Sequence, residues 1–114
     1  MAHFFTPEEA NKELPRARKL VSSIVDLKKQ LIQATGKNRM EILDRITVAN
    51  GRLSEIGIEL KDPDIGLVDF PAKRFDEPVY LCWKLGEEEV LYWHGITEGY
   101  RGRKLLKPEL TQVR

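Results

Sequence analysis

One stretch, residues 66–94, constrains the fold more than any other. It reads GLVDFPAKRFDEPVYLCWKLGEEEVLYWH and holds both tryptophans and two of the three tyrosines. β-Branched and aromatic residues favour strands, and the prolines lie at the edges of the apolar runs. The sequence predicts an antiparallel meander of about three strands between residues 58 and 94. One strand is predicted to end at Pro71, with a charged loop over residues 72–78.

The last two predicted strands flank the sequence GEEE, which is suited to a tight turn. Such a turn would place Trp83 opposite Tyr92, with His94 on the same face. Cys82 and Trp93 would then lie on the opposite face. A shift of one residue in the turn would exchange the two faces, because side chains alternate along a strand.

The predicted sheet is largely apolar on both faces. Each apolar face must be buried against another layer of structure. We expect the helices to cover one face and a second subunit or a chain terminus to cover the other. This pattern predicts self-association, most simply as a homodimer.

The sequence before the meander predicts two antiparallel helices over about residues 7–56. Thr6 and Glu9 have the spacing of a capping box. Apolar residues then recur three and four positions apart in both segments, which is typical of helices that bury one face. Pro15 predicts a kink or a new start, and Gly57 is suited to a helix end.

Length and composition favour a single α+β domain over residues 1–114, with an irregular basic tail over residues 95–114. No apolar run is long enough to cross a bilayer, and the amino terminus does not resemble a leader, so we expect a cytoplasmic protein. A lone cysteine excludes an internal disulfide. Cys82 lies among apolar neighbours, which favours a buried and inert thiol.

Four motifs occur in a recognisable order: FTPEEANKELP, GLVDFP, YLCWKLGE and YWHGITEGYRGR. In this order the chain resembles a small family of bacterial and archaeal proteins known as a conserved domain of unknown function. The resemblance spans nearly the whole chain and implies an architecture without a reaction. Family members often carry an acidic residue after the YWH histidine, where this chain has Gly95.

Several polar and aromatic side chains are candidates for a site around the sheet. Asp69, His94 and Glu87 are the catalytic candidates, and the same Asp69 and His94 are the metal-ligand candidates. A neutral imidazole beside a carboxylate can act as a base or bind a metal. The alternative is structural, because a buried histidine bonded to a carboxylate or carbonyl satisfies polar groups. The ligand-binding candidates are Trp83, Tyr92, Arg101 and Arg103.

Charge divides unevenly along the chain. Residues 61–98 carry nine acidic and four basic residues, whereas residues 99–114 carry five basic and one acidic. The tail can pair with the acidic sheet or bind phosphate. Pairing is favoured, and nucleic acid is not an expected partner, because the formal net charge is only +1 and no nucleic-acid-binding motif is present.

No pattern in the sequence requires an enzyme or identifies a cofactor. The leading interpretation is a homodimeric interaction or structural protein. One alternative is a small-ligand or metal-dependent enzyme centred on Asp69 and His94. The other is a phosphate or nucleic-acid binder that uses the basic tail.

Overall fold

A computed structural model describes residues 3–106. The helices and strands, in chain order, are α1 (Pro7–Leu31), α2 (Gly36–Ile56), β1 (Glu59–Asp62), β2 (Leu67–Arg74), β3 (Glu77–Lys84), β4 (Tyr92–Gly95), a 3-10 helix (Tyr100–Gly102) and β5 (Lys104–Leu105). All five strands form one antiparallel sheet in sequence order. The α+β class and the helical hairpin are confirmed, but the expected three strands are five.

The helical hairpin follows the local signals in the sequence. Thr6 and Glu9 form the predicted capping box, in which each side chain accepts a hydrogen bond from the other's backbone N–H. Helix α1 continues through Pro15, so no new helix starts there. Gly57 ends α2 in a left-handed conformation with φ of 102°.

Strand β2 runs through Pro71 and does not end there. Pro71 pairs with Tyr80 on β3, and its carbonyl accepts a hydrogen bond from the Phe5 N–H at 2.7 Å on the other side of the strand. The N–H that proline lacks would have pointed to that same side, away from β3, so no β2–β3 bond is lost. The predicted loop over residues 72–78 is instead a β-hairpin.

The register between β3 and β4 differs from the prediction by one residue. Tyr80 lies opposite His94, and Cys82 lies opposite Tyr92. The connection after β3 is longer than a tight turn, because the Val90 N–H donates to the Asn11 side chain on α1 at 2.7 Å and so does not join the sheet. The side chains of β4 therefore lie on the opposite face from the one predicted for them relative to β3.

The two faces of the sheet differ in chemistry. The helix face packs against α1 and α2, and its buried members include Val68, Phe70, Leu81 and Trp83. The opposite side, called here the outer face, carries Asp69, Cys82 and His94 together with Tyr80 and Tyr92. Trp93 packs against the helix-side core, so the outer face is not the second apolar surface that was expected.

A glycine is required where the chain enters β2. Gly66 has a φ of 70°, and a Cβ there would lie 2.7 Å from the Leu85 Cβ and 2.9 Å from the Val21 Cγ1. A side chain at this position would force the helix and the β3–β4 connection apart. Gly66 thus allows α1 to pack closely on the sheet.

The segment after β4 is more regular than predicted up to residue 106, because it contains the 3-10 helix and β5. Strand β5 pairs Leu105 with Tyr92 and Lys104 with Trp93. The rest of the predicted tail, residues 107–114, lies outside the described residues. Neither of the two long helices is apolar enough over its length to cross a membrane.

Candidate functional site

Three side chains that can bind metals converge on the outer face. Asp69 lies on β2, Cys82 lies directly opposite it on β3, and His94 lies on the adjacent strand β4. One ligand atom from each residue lies within 4.8 Å of the other two. The side chains are buried, with Asp69 3%, Cys82 0% and His94 2% exposed.

Two hydrogen bonds fix the imidazole of His94. Its Nδ1 lies 2.7 Å from the Gly95 carbonyl oxygen, which can only accept, so Nδ1 carries a hydrogen. Its Nε2 lies 3.0 and 3.1 Å from the two carboxylate oxygens of Asp69. A single proton lies between these two groups, either on Nε2 or on the carboxyl. Without that proton, the Nε2 lone pair would face the negatively charged carboxylate at hydrogen-bond distance, and the two groups would repel each other.

Burial favours the protonated forms of the acidic groups at this site. Desolvation raises the pKa of Asp69, although the nearby His94 opposes the shift. Desolvation, together with the negative charge of Asp69, raises the pKa of the Cys82 thiol to about 12. Cys82 therefore holds its proton near neutral pH and is not an activated nucleophile by itself.

Polar groups surround the three central side chains. The Tyr80 hydroxyl donates to the Glu59 carboxylate at 3.0 Å, and Lys61 pairs with the same carboxylate at 2.8 Å. The Tyr80 and His94 ring centroids are 5.5 Å apart. Within the described residues, every deeply buried side-chain nitrogen and oxygen has a hydrogen-bond partner. The site is thus a closed polar cluster beneath a partly exposed rim.

The segment after β4 covers this face through Arg103. Its guanidinium lies 4.0 Å from the Tyr92 ring centroid and 4.4 Å from that of Tyr100. It also forms an ion pair with Glu87 at 3.0 Å. The chain therefore covers part of its own outer face, the place where a second subunit or a chain terminus was expected.

The structure brings together some of the predicted site residues and separates others. Asp69 and His94 are in direct contact, as a shared site requires. Glu87 and Arg103 are partners of each other at the edge of the outer face. Trp83 is fully buried on the helix face, where its indole N–H donates to the Glu87 carbonyl, so it does not share a surface with Tyr92.

The remaining candidate, Arg101, lies on the exposed 3-10 helix. Two other tail cations have acidic partners, since Arg103 pairs with Glu87 and Lys104 with Glu98. These pairs match the favoured expectation that the tail pairs with nearby acids. They also reduce the positive charge available to a phosphate.

Cys82 is the site residue that sequence reasoning missed as a ligand. The predicted register placed it on the face opposite His94, so the two residues were not expected to meet. With the register shifted by one, Asp69, Cys82 and His94 fall on three neighbouring strands and on one face. The sequence signal for this cluster was the alternation of side chains along each strand. It shows which residues share a face only when the register between the strands is known.

Gly95 takes part in the site through its backbone. Its carbonyl orients His94, and its N–H donates to the Glu98 carboxylate at 2.6 Å. The residue after the histidine is not acidic in this chain, yet a carboxylate from three residues later binds the same backbone position. A side chain at Gly95 would meet that carboxylate at 3.1 Å.

Comparison with known proteins gives one match. The sequence model of a family described as an uncharacterized conserved protein, DUF2203, matches residues 32–106. No curated protein and no solved structure matches the chain. The matched range contains all five strands and the three clustered side chains, and the match agrees with the resemblance drawn from the sequence motifs.

Proposed function

The chain belongs to the DUF2203 family, and on that premise we propose that it binds a divalent transition metal ion through Asp69, Cys82 and His94. The observation that carries the proposal is the convergence of a carboxylate, a thiol and an oriented imidazole at one buried point. Histidine and cysteine ligands favour zinc and neighbouring transition metals over magnesium or calcium.

The second hydrogen bond of His94 supports ligation. Histidines that bind metals usually donate their other ring N–H to a carbonyl or a carboxylate, which fixes the tautomer and the ring orientation. Here Nδ1 donates to the Gly95 carbonyl, so Nε2 is the nitrogen left to bind the ion. Asp69 already lies beside Nε2, and Cys82 lies opposite Asp69.

Charge balance supports a divalent ion. Without metal, the Asp69–His94 pair shares one proton and Cys82 holds another, so the cluster is neutral. A divalent ion that displaces both protons leaves a carboxylate, a thiolate and a neutral imidazole around two positive charges. The buried cluster stays neutral, which avoids the cost of burying an unpaired charge.

Three protein ligands leave one position of a tetrahedral ion for water or another ligand. The three side chains are no more than 3% exposed, so a substrate would reach that position only if the Arg103 segment moved. The proposal is therefore metal binding. The metal-dependent enzyme that the sequence offered as an alternative would also require this movement of the Arg103 segment.

The test is titration of the purified, metal-free chain with Co²⁺ and Zn²⁺. Tetrahedral cobalt bound to a thiolate gives ligand-to-metal absorption in the near ultraviolet, and Zn²⁺ should displace it. Cys82→Ser should abolish this absorption, and Asp69→Asn should weaken binding by about tenfold or more. Asp64→Asn is the matched control, because Asp64 is an exposed aspartate outside the cluster. Cobalt spectra that are the same for Cys82→Ser and the unmodified chain would refute the proposal.

Self-association is a second proposal, supported by a different region. Ile32, Met40 and Leu43 at the far end of the helical hairpin are 82%, 65% and 42% exposed. Apolar residues of this size grouped near a loop are suited to a contact between two copies. Light scattering at high micromolar concentration tests it: a dimer mass that falls with Ile32→Asn supports the contact, and a monomer mass contradicts it.

A further inference from the structure

A cleft of about 790 Å³ lies at the other end of the molecule from the hairpin loop. Its floor is the helix face of the sheet near the β2–β3 turn, including Ala72, Val79 and Trp93. Helix α1 begins only at Pro7, so this end of the sheet extends beyond the helix that covers the rest. The volume is within the range of small-molecule sites, about 300–1,000 Å³.

The wall formed by the β2–β3 turn is strained. Phe75 and Asp76 form the two-residue turn with φ of 51° and 69°. Turns of this kind favour Asn-Gly, and a phenylalanine in the left-handed region is energetically costly. Its ring is 65% exposed, so burial in the core does not compensate for that cost. A strained, exposed aromatic residue beside a cleft indicates a function for its ring.

Three cations lie against the aromatic walls, and one of them, Lys104, is 4.9 Å from the Trp93 ring centroid and pairs with Glu98. The Arg74 guanidinium is 4.5 Å from the Trp93 ring centroid and 5.1 Å from that of Phe75. The Lys73 amine is 4.7 Å from the Phe4 ring centroid. Neither Arg74 nor Lys73 has an acidic partner among residues 3–106. The charge of Arg74, which lies on the helix face with Ala72, is therefore available to an anionic group that enters the cleft.

Two acidic residues, Glu8 and Asp76, also line the cleft. Glu8 lies in the first turn of α1, where the positive end of the helix dipole offsets its charge. The cations, unlike the acids, lie directly over the aromatic rings. The charged groups nearest the apolar walls therefore favour an anion.

We propose that this cleft binds a small molecule with a flat apolar ring and an anionic group. Phe75 and Trp93 contact the ring, and Arg74 contacts the anion. The inference does not depend on the metal cluster, whose residues lie on the opposite face of the sheet. It assigns a second site, with a different chemistry, to the same fold.

The first experiment compares two fluorescent probes with the same ring system. One is 8-anilinonaphthalene-1-sulfonate, which is anionic, and the other is the neutral N-phenyl-1-naphthylamine. Arg74→Gln should weaken the sulfonate about tenfold and leave the neutral probe nearly unchanged. An equal loss for both probes, or no loss for either, would overturn the anionic part of the proposal.

The second experiment separates binding from folding. Phe75→Asn removes the ring and puts a turn-favouring residue at the left-handed position, so it should raise the thermal midpoint by about 3 °C and weaken both probes about tenfold. A higher thermal midpoint together with weaker probe binding cannot come from loss of the fold. Val48→Asn is the matched control, because it removes an exposed apolar residue that lies outside both the cleft and the proposed self-association surface.

The control should leave probe binding unchanged. Equal probe binding by Phe75→Asn and the unmodified chain would overturn the site. A dimer mass that disappears in Phe75→Asn would show that a second copy of the chain occupies the cleft, which also overturns the small-molecule proposal.

Discussion

The helix face and the outer face of one sheet bury their side chains by different means. The helix face buries Phe70 and Trp83 against α1 and α2, where dispersion and the hydrophobic effect act without directional requirements. The outer face buries Asp69 and His94, which are stable there only because they bond to each other and to the backbone. The first face therefore stabilises the fold by apolar packing, whereas the second keeps polar groups buried by pairing them with one another.

The largest expected effect is on the helix face. Trp83→Ala should lower the free energy of unfolding by about 3–5 kcal/mol, because it leaves a cavity and removes the indole hydrogen bond to the Glu87 carbonyl. Urea unfolding followed by circular dichroism measures the loss. Phe75→Ala, a substitution of an exposed aromatic, serves as the control. A loss below about 1 kcal/mol would contradict the central place of Trp83 in the core.

The next largest effect on stability is on the outer face, where the costs of substituting Asp69 and His94 should not be additive. Without metal, Asp69→Leu should cost about 3 kcal/mol, because it leaves the Nε2 of buried His94 without a partner. The double variant Asp69→Leu/His94→Leu removes both polar groups, so it should be more stable than the sum of the two single costs by about 2 kcal/mol.

Urea unfolding of the four proteins of this cycle measures the coupling. If the stability costs of the two single variants sum to that of the double variant, the Asp69–His94 contact contributes nothing to stability beyond the burial of each side chain. A double cycle between apolar residues of separate core clusters, Ile42 and Trp83 for example, should show much weaker coupling than the polar pair.

Metal affinity should rise with pH. The thiol of Cys82, with its pKa raised to about 12, must lose a proton when the ion binds, and so must the Asp69–His94 pair. Protons compete with the metal for these groups, so affinity should rise about a hundredfold per pH unit between about pH 6 and pH 8, because two protons are displaced. Competition with a chelator of known affinity measures the slope. A flat profile would mean that the ion binds without displacing these protons.

The smallest effect is at the exposed rim of the outer face. Glu59→Gln removes the ion pair with Lys61, but both side chains are more than a third exposed. Solvent screens such pairs, so we expect a change below about 1 kcal/mol in unfolding free energy. Thermal unfolding at low and high salt checks this. A larger loss would show that the Tyr80–Glu59 bond supports the buried cluster.

Much of the fold could be predicted from local signals. The capping box at Thr6, the end of α2 at Gly57 and the two helical seams are short-range patterns whose causes lie within a few residues. The strands were placed nearly correctly by composition. The predicted end of β2 at Pro71 was wrong. A proline is tolerated in a strand when the N–H that it lacks would have pointed away from the neighbouring strand.

The candidate site was predicted in part. Asp69 and His94 were selected as a pair from their chemistry, and they are in contact. Cys82 was expected to be buried and inert because its neighbours are apolar, and the assumed tight turn after Leu85 placed it on the face opposite His94, so it was not considered as a ligand. In the observed register the Val90 N–H does not pair within the sheet but donates to Asn11, 79 residues away along the chain. No local rule reports such a bond.

The sequence by itself determined the helices, the approximate strands, the family and the presence of one acid and one histidine with metal-binding potential. The tertiary structure alone decided the register, the membership of Cys82 in the cluster and the cleft beside Phe75. The physical reason is that side-chain direction along a strand alternates every residue. The register between β3 and β4 differs by one residue from that of a tight turn, and this difference decides which side chains meet.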